Sequence, residues 1–522
     1  MPNSYYMVRF NMFASRFSNL SISSGRAGIL AGCVALLSAC AAVPDLGPQP
    51  AVRAPGSIAA ERSLQADNAA QWPSEGWWKA YGDPQLDALI EEGLKGSPDV
   101  TAAAARFAQA NAVAQQAGAP LLPSVDLDAN AGVTKSSYNM GMPKEFVPKG
   151  WLGTGRVGLN FGFDLDIWGR NRAALAAATS EARAAEIDAR QARLALATGV
   201  ADAYADLARL HDERDIQARA LEIRAASQKL VADRRANGLE TRGSERQADA
   251  TVSSAKAQLA AADQAIAVRQ HQIAALIGAG PDRGLAIARP HLGKPGPLGL
   301  PADVTTNLVA RRPDIAAALA RTEAAARRIK VARADFFPAI RLNALIGVQS
   351  LGYRTVLQGA QFAGGPSPFT DTLFKKDSLF GNAGPAISLP IFQGGALSGQ
   401  YRGVRAVYDE AVANYDKTVL GAYQQVADAV TGRRALDQRL TDARAALIAS
   451  EEAYGIARQR YEGGLNTYLD VLNVENQLLA ARQTVAELEA SAFTLDIALI
   501  RALGGGFAAG EAQQLPKDTP HG

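Results

Sequence analysis

Val157-Gly158-Leu159-Asn160-Phe161-Gly162-Phe163-Asp164-Leu165-Asp166-Ile167-Trp168-Gly169-Arg170 changes its period partway along. Up to Ile167 every second residue is apolar, and Gly158, Asn160, Gly162, Asp164 and Asp166 fill the gaps, so an extended strand acquires two unlike faces. From Arg170 the alternation stops, and no proline interrupts the chain as far as Ala236, which predicts one helix over about 170–236. At 1.5 Å per residue such a helix is on the order of 100 Å long. A globular core has no use for that length; a tube or a coiled coil does.

Three other segments alternate in the same way: Val125 to Val133, Ile340 to Val348, and Ala383 to Ile391. Strands are therefore expected at about 123–134, 156–167, 338–349 and 383–392, each close to the 9–11 residues a tilted strand needs to cross a bilayer. A soluble, half-buried sheet alternates identically. The balance tips toward a membrane barrel because the lengths match and because long Gly/Pro-containing loops, about 134–156 and 349–382, join the strands in pairs. Those loops carry Tyr138, Trp151, Phe369, Phe374 and Phe380. In lipid an open sheet edge is prohibitive, and closed barrels begin at about eight strands. Several chains must then share one barrel; two would supply eight strands and three would supply twelve, and the residues alone do not choose.

The chain is also written twice. Pro98 and Pro123 recur as Pro313 and Pro338, an offset of 215. Val200-Ala201-Asp202-Ala203 recurs as Val426-Ala427-Asp428-Ala429, and Gly238-Leu239 and Gly278 recur as Gly464-Leu465 and Gly504, all at 226. The first copy is assigned to 85–278, with long helices at about 170–236 and 240–277, and the second to 303–506, with long helices at about 395–462 and 467–503. Shorter helices, about 99–118 and 314–335, open the copies. One short helix stacked end to end on a return helix matches the length of a long one, so the pair can run beside it. Residues 279–302 read as an irregular belt between the copies, 40–84 as an extension wrapping the outside, and 507–522 as a disordered tail.

Of the 522 residues 48% are hydrophobic, and 54 basic side chains face 51 acidic ones. Arg9, Arg16 and Arg26 account for the whole excess, so the rest of the chain is neutral and offers no electrostatic case for nucleic acid. Those arginines precede an apolar run, Ala27 to Leu37, and Leu37-Ser38-Ala39-Cys40. A basic start, a short apolar stretch and small residues before a cleavage point describe a signal peptide over 1–39. Ala27 to Val43, read instead as a spanning anchor, reaches only the short limit for a bilayer. Enzyme chemistry finds no support. His211, His271, His291 and His521 are scattered, and the G-x-G-x-x-G of Gly153 to Gly158 leads into a strand where dinucleotide binding needs a helix. No cofactor is expected.

Taken in order, several segments resemble the outer membrane efflux proteins of the TolC type, close to the NodT-like lipoprotein subgroup. They are the lipobox ending in Cys40, Asp164-Leu165-Asp166-Ile167-Trp168-Gly169-Arg170, and Leu300-Pro301 leading to Arg311-Arg312-Pro313-Asp314-Ile315. Phe336-Phe337-Pro338, Leu389-Pro390-Ile391-Phe392-Gln393-Gly394-Gly395, Arg460-Tyr461-Glu462-Gly463-Gly464 and Ala502-Leu503-Gly504-Gly505-Gly506 complete the set. The resemblance implies a mainly α chain with a small membrane β-barrel. Its homotrimer would form a 12-stranded β-barrel continued by a 12-helix periplasmic α-barrel. It further implies lipidation of Cys40, outer-membrane lipid around the barrel, and two protein partners: a periplasmic adaptor and an inner-membrane transporter of the resistance-nodulation-division type. Drug or small-molecule efflux is favoured over type I protein secretion or signal-molecule export. A lipid-anchored periplasmic coiled-coil scaffold would explain the helices but not four matched strands.

The mechanism is then expected at the far helix ends. Gly238-Leu239 and Gly464-Leu465 suit tight helix-to-helix turns, since glycine takes the left-handed conformation freely. By resemblance these tips, with Leu239 and Leu465 as apolar contacts, meet the adaptor. A gate is expected just inside, among Asn466, Leu469, Asp470, Leu472 and Asn473. Three copies of Asp470 around an axis would raise one another's pKa and attract cations, whereas Leu465, Leu469 and Leu472 could instead form an apolar seal. Asn466 and Asn473 stand where some relatives place Arg and a second carboxylate, which argues against a salt-bridge latch. A bare turn and a solvated helix face remain the plain alternatives.

Overall fold

Residues 43–509, apart from 55–56, 66–68, 140, 142, 294–295, 297–298 and 359–360, are described by a computed structural model. The expected signal peptide and Cys40 lie outside the described residues. So does 510–522 of the expected disordered tail; Phe507–Ala509 are placed, and the Ala509 N–H donates to the Ala310 carbonyl at 3.1 Å.

The first copy runs α1 (Pro84–Gly96), α2 (Pro98–Gly118), β1 (Ser124–Thr134), β2 (Leu152–Asp164), α3 (Arg170–Ala236) and α4 (Arg242–Leu276). After the one-turn α5 (Pro281–Leu285) the second runs α6 (Val304–Arg311), α7 (Pro313–Ala334), β3 (Ala339–Leu351), β4 (Tyr353–Gln358), β5 (Gln361–Pro366), α8 (Thr370–Leu373), β6 (Leu379–Ser388), α9 (Ala396–Glu462) and α10 (Tyr468–Ala502). The duplication holds to the residue in the long helices, with 67 in both α3 and α9 and 35 in both α4 and α10. Proline opens α2 and α7, where its missing N–H removes no intrahelical bond. Helices α2 and α4 both lie along α3, and α7 and α10 along α9, while α7 and α10 also pack on α3. Much of the buried stripe of α3 is alanine, which lets neighbouring backbones approach closely.

Each copy closes on itself at one glycine. Gly278 has φ 80° and Gly504 has φ 90°; a Cβ at either would overlap a carbonyl, that of Gly96 in the first copy and that of Arg311 in the second. The matching positions of the two copies therefore make the same contact twice. Around it sit two apolar hubs. In one, Trp77, Tyr81 and Leu89 pack on Val200, Tyr204 and Ile273; in the other, Leu64, Leu300 and Leu308 pack on Val419, Val426 and Leu499. The small helices α1 and α6 that feed these hubs were not anticipated from the sequence.

Strands β1, β2, β3 and β6 form one antiparallel sheet in that order. Its register assembles one apolar face, with rows such as Leu127, Leu159 and Ile346 or Phe163, Leu342 and Pro385. The other face carries Asp126 opposite Asn160, Arg156 between Asn130 and Gln349, and Asp164 opposite Arg341. Among the described residues no helix is long and apolar enough to cross a membrane.

Two strands are displaced from their expected positions. Strand β2 ends at Asp164, short of 167, because Asp166 turns the chain: its carboxylate accepts the N–H groups of Asn171 at 2.8 Å and Arg172 at 3.0 Å and so starts α3. Strand β6 spans 379–388 where 383–392 was expected, since Pro390 has no N–H to give a ladder and restricts Leu389 before it. The 349–382 loop also contains the β4–β5 hairpin and α8. Gly153 and Gly155, the first glycines of the G-x-G-x-x-G, form a seat for the Phe369 ring of that loop.

The extension runs along α9. Arg405 donates to the carbonyls of Gly47 and Pro48, Tyr408 to that of Pro50 at 2.9 Å, and Asp416 accepts the Arg53 N–H at 3.0 Å. The belt is held through Asp83, the N-cap of α1, which accepts from Gln85 N at 2.9 Å, the Tyr204 hydroxyl at 2.7 Å and His291 N at 2.8 Å.

Candidate functional site

The two hairpin turns, α3 to α4 and α9 to α10, meet at the end of the molecule farthest from the sheet. Both end in the same way. Gly238 (φ 75°) and Gly464 (φ 76°) take the left-handed conformation, and the next N–H reaches back across the last turn, Leu239 to the Arg234 carbonyl at 2.8 Å and Leu465 to the Arg460 carbonyl at 2.7 Å. In this motif the following apolar residue commonly folds onto its own helix. Here Leu239 is 66% exposed and Leu465 73% exposed, so both face outward.

Each return helix starts on a threonine. Thr241 accepts from Ser244 N at 3.1 Å. Thr467 accepts from Asp470 N at 3.4 Å, while Asp470 Oδ2 accepts from both Thr467 N at 2.9 Å and the Thr467 hydroxyl at 2.8 Å. Asp470 is thus the third residue of a reciprocal capping box. The backbone bond from Thr467, then the bond from its hydroxyl, hold the carboxyl below the usual carboxylate range. Leu469 is 59% exposed and Asn473 exposed beside it, with Asn466 half-exposed. Leu472 departs from the expected seal: at 9% exposure it is packed inside its own protomer, so the exposed leucines near the turn are Leu465 and Leu469.

Contacts between the hairpins come from residues outside the expected tip and gate sets. Arg234 Nη1 donates to the carbonyls of Tyr461 at 3.0 Å and Glu462 at 3.3 Å, capping α9 from the other hairpin, and its guanidinium lies 4.9 Å from the Tyr461 ring centre. The Tyr461 hydroxyl donates to Glu240 Oε1 at 3.0 Å. Val231, Ala248, Tyr461, Tyr468 and Val471 close a small apolar cluster beneath. Farther up, Arg224 Nε donates to Glu475 Oε1 at 2.8 Å and Arg224 Nη2 to Asn476 Oδ1 at 3.1 Å. Burial pushes the Glu475 carboxyl up, against the pull of the guanidinium. The signal for that pair was present: Glu475 sits among Val471, Leu472, Leu478 and Leu479 on one buried stripe, where a charge needs a partner.

The family profile described as "Outer membrane efflux protein" matches residues 89–279 and again 304–505. The multidrug resistance outer membrane protein MdtP of Escherichia coli is 30% identical over 493 residues, covering 92% of this chain and 96% of that one. The pyoverdine export outer membrane protein OpmQ of Pseudomonas aeruginosa is 30% identical over 491 residues, covering 91% and 97%. The crystal structure of the outer membrane protein VceC from Vibrio cholerae is 42% identical, covers 84% of this chain and 100% of that chain, and superposes with a TM-score of 0.75. The chain belongs to the outer membrane efflux protein family, and it is an efflux channel protein of the outer membrane.

Proposed function

We propose that three copies of this chain close one twelve-stranded barrel and serve as the exit duct of a tripartite pump for drugs or other small molecules. The observation that carries the assembly is the sheet. Strands β1 and β6 are both edges, and they run in opposite directions, so β6 of one copy can pair with β1 of the next without breaking the antiparallel order. The apolar face then meets lipid and the polar face lines the lumen, with no edge left in the bilayer. A periplasmic adaptor would dock on the exposed tips around Gly238, Leu239, Gly464 and Leu465, and an inner-membrane transporter of the resistance-nodulation-division type would supply the energy. Gating is assigned to the tip segment bearing Asn466, Leu469, Asp470 and Asn473, with Leu472 packing behind it.

Lipidation at Cys40 belongs to the same reading. Residues 47–53 run alongside α9 from Arg405 to Asp416, so the chain heads toward the sheet as the numbering falls. The remaining residues back to Cys40 span up to about 23 Å when extended, enough to reach the start of α9, where the sheet begins. The test is the mass of the particle extracted from outer-membrane fractions in detergent, corrected for bound detergent, alongside drug susceptibility of a deletion strain carrying the gene. Three chain masses and restored resistance are expected; a monomer released without detergent would overturn the barrel.

A further inference from the structure

We infer that Arg156 and Phe380 form, in each copy, a bracket on the lumen wall near the outer mouth that binds aromatic carboxylates or sulfonates. The inference rests on the barrel reading above, because it needs the polar face of the sheet to face the lumen. Arg156 lies on that face, directly between Asn130 on β1 and Gln349 on β3. Phe380, at the start of β6, lies on the same face opposite Gly347, and the Arg156 guanidinium sits 4.9 Å from its ring centre. Gly347 has no side chain to separate them, so the Phe380 ring lies over it, and the Leu345 side chain covers its partner Gly158 on β2 and floors the bracket.

The sheet holds a second arginine on this face, and the two are handled differently. Arg341, at the helix end, faces Asp164 at 3.6 Å. Arg156, at the mouth end, has no carboxylate within ion-pair distance among the described residues, and its Nε is buried without a hydrogen-bond partner. Phe380 covers one guanidinium face by a cation–π contact, which leaves the N–H edge as the unused donor. Two oxygens of a carboxylate or sulfonate match the terminal Nη1/Nη2 edge bidentately, and an aromatic ring attached to the anion can lie against Phe380. Below the bracket the same face carries Asp126 and Asp128, so a leaving anion passes from a carboxylate-lined stretch to a cationic site.

The experiment is ligand-observed fluorine NMR on the extracted trimer in a non-ionic detergent, with 4-fluorobenzenesulfonate as probe and the neutral 4-fluorobenzenesulfonamide as control. The sulfonate is expected to bind and the sulfonamide not. R156Q should weaken sulfonate binding about tenfold or more, the loss of charge-assisted hydrogen bonds. F380L, which keeps the arginine and the apolar volume, should weaken it about twofold or more. Unchanged affinity in R156Q overturns the bracket, as does equal binding of the neutral control. If R156Q does not assemble, F380L decides, and unchanged affinity there overturns it. A wild-type particle without the trimer mass sinks the barrel reading itself, and that failure is read separately from the probe.

Discussion

Arg224 on α3 and Glu475 on α10 form a 2.8 Å ion pair in which both side chains are shielded, at 8% and 2% exposure, so this charged tie between the two hairpins is out of reach of water. At 1.5 Å per residue it lies on the order of 20 Å above the α3 turn. Beneath it the hairpins are joined by the Arg234, Tyr461 and Glu240 contacts, in which Glu240 is only half-buried and the bond to the Glu462 carbonyl is exposed to solvent. The pair therefore marks where a firmly joined upper wall gives way to a tip held by weaker, wetter bonds.

Removing one partner leaves the other charged and buried. Arg224→Met or Glu475→Met alone is expected to cost about 3–5 kcal/mol, whereas the double replacement by apolar residues should recover most of that loss. Thermal dissociation of the extracted trimer would measure it. Equal losses in the single and double variants would mean that the pair is not what holds the hairpins here.

The closing glycines make a sharper demand. Gly278→Ala and Gly504→Ala each place a methyl group into a backbone carbonyl and also require a left-handed φ from alanine, a strain of about 1–3 kcal/mol before the overlap is added. Both should reduce the folded yield severely at 37 °C. Gly238→Ala, in open space at similar φ, should bear the backbone strain alone. Quantitative blotting of outer-membrane fractions distinguishes the two classes, and a Gly504→Ala protein present at wild-type levels would contradict the overlap.

Much of this architecture could be read directly. Period-two apolar residues and an uninterrupted stretch from Arg170 leave few alternatives, and the two offsets, 215 and 226, bring Gly96 with Gly278 and Arg311 with Gly504 to the same contact. Strand ends were harder, because Asp166 continues the alternation yet spends its carboxylate on starting a helix. At the tip, Thr467-x-x-Asp470 carries a capping signature and Glu475 interrupts an apolar stripe, so both were legible in principle. The Arg234, Tyr461 and Glu240 contacts were not. They depend on how two hairpins separated by more than 200 residues are aligned, and no local pattern encodes that.

Asp202, from the duplicated Val-Ala-Asp-Ala, is pushed up from 3.8 to about 6, chiefly by burial, with Arg501 pulling the other way. Because the folded value is the higher one, the folded state binds the proton more tightly than the unfolded chain. Stability from this group is complete below about pH 4 and is lost as the pH rises through 6. Asp202→Asn should make the protein more stable at pH 7, on the order of 1 kcal/mol given its partial exposure, and flatten the dependence between pH 4 and 6. Melting curves across that range decide it; a variant with the wild-type slope would remove Asp202 as the cause.

Asp470 shows the opposite linkage. Its folded value is depressed by Thr467, so the cap is present above the ordinary carboxylate range and is lost only as the pH falls through that lower value. If the tip is the gate, conductance of the reconstituted channel should stay flat until strongly acid pH and then rise as the first turn of α10 frays. Thr467→Ala removes the hydroxyl that bonds the carboxylate and accepts from Asp470 N, while the backbone N–H of residue 467 still reaches the carboxylate, so the titration moves partway toward the ordinary range and the rise should move to higher pH. Asp470→Asn should abolish the rise. Single-channel recordings from pH 3 to 7 test all three, and superimposable profiles for wild type and Thr467→Ala would mean that the capping box has no part in closing the tip.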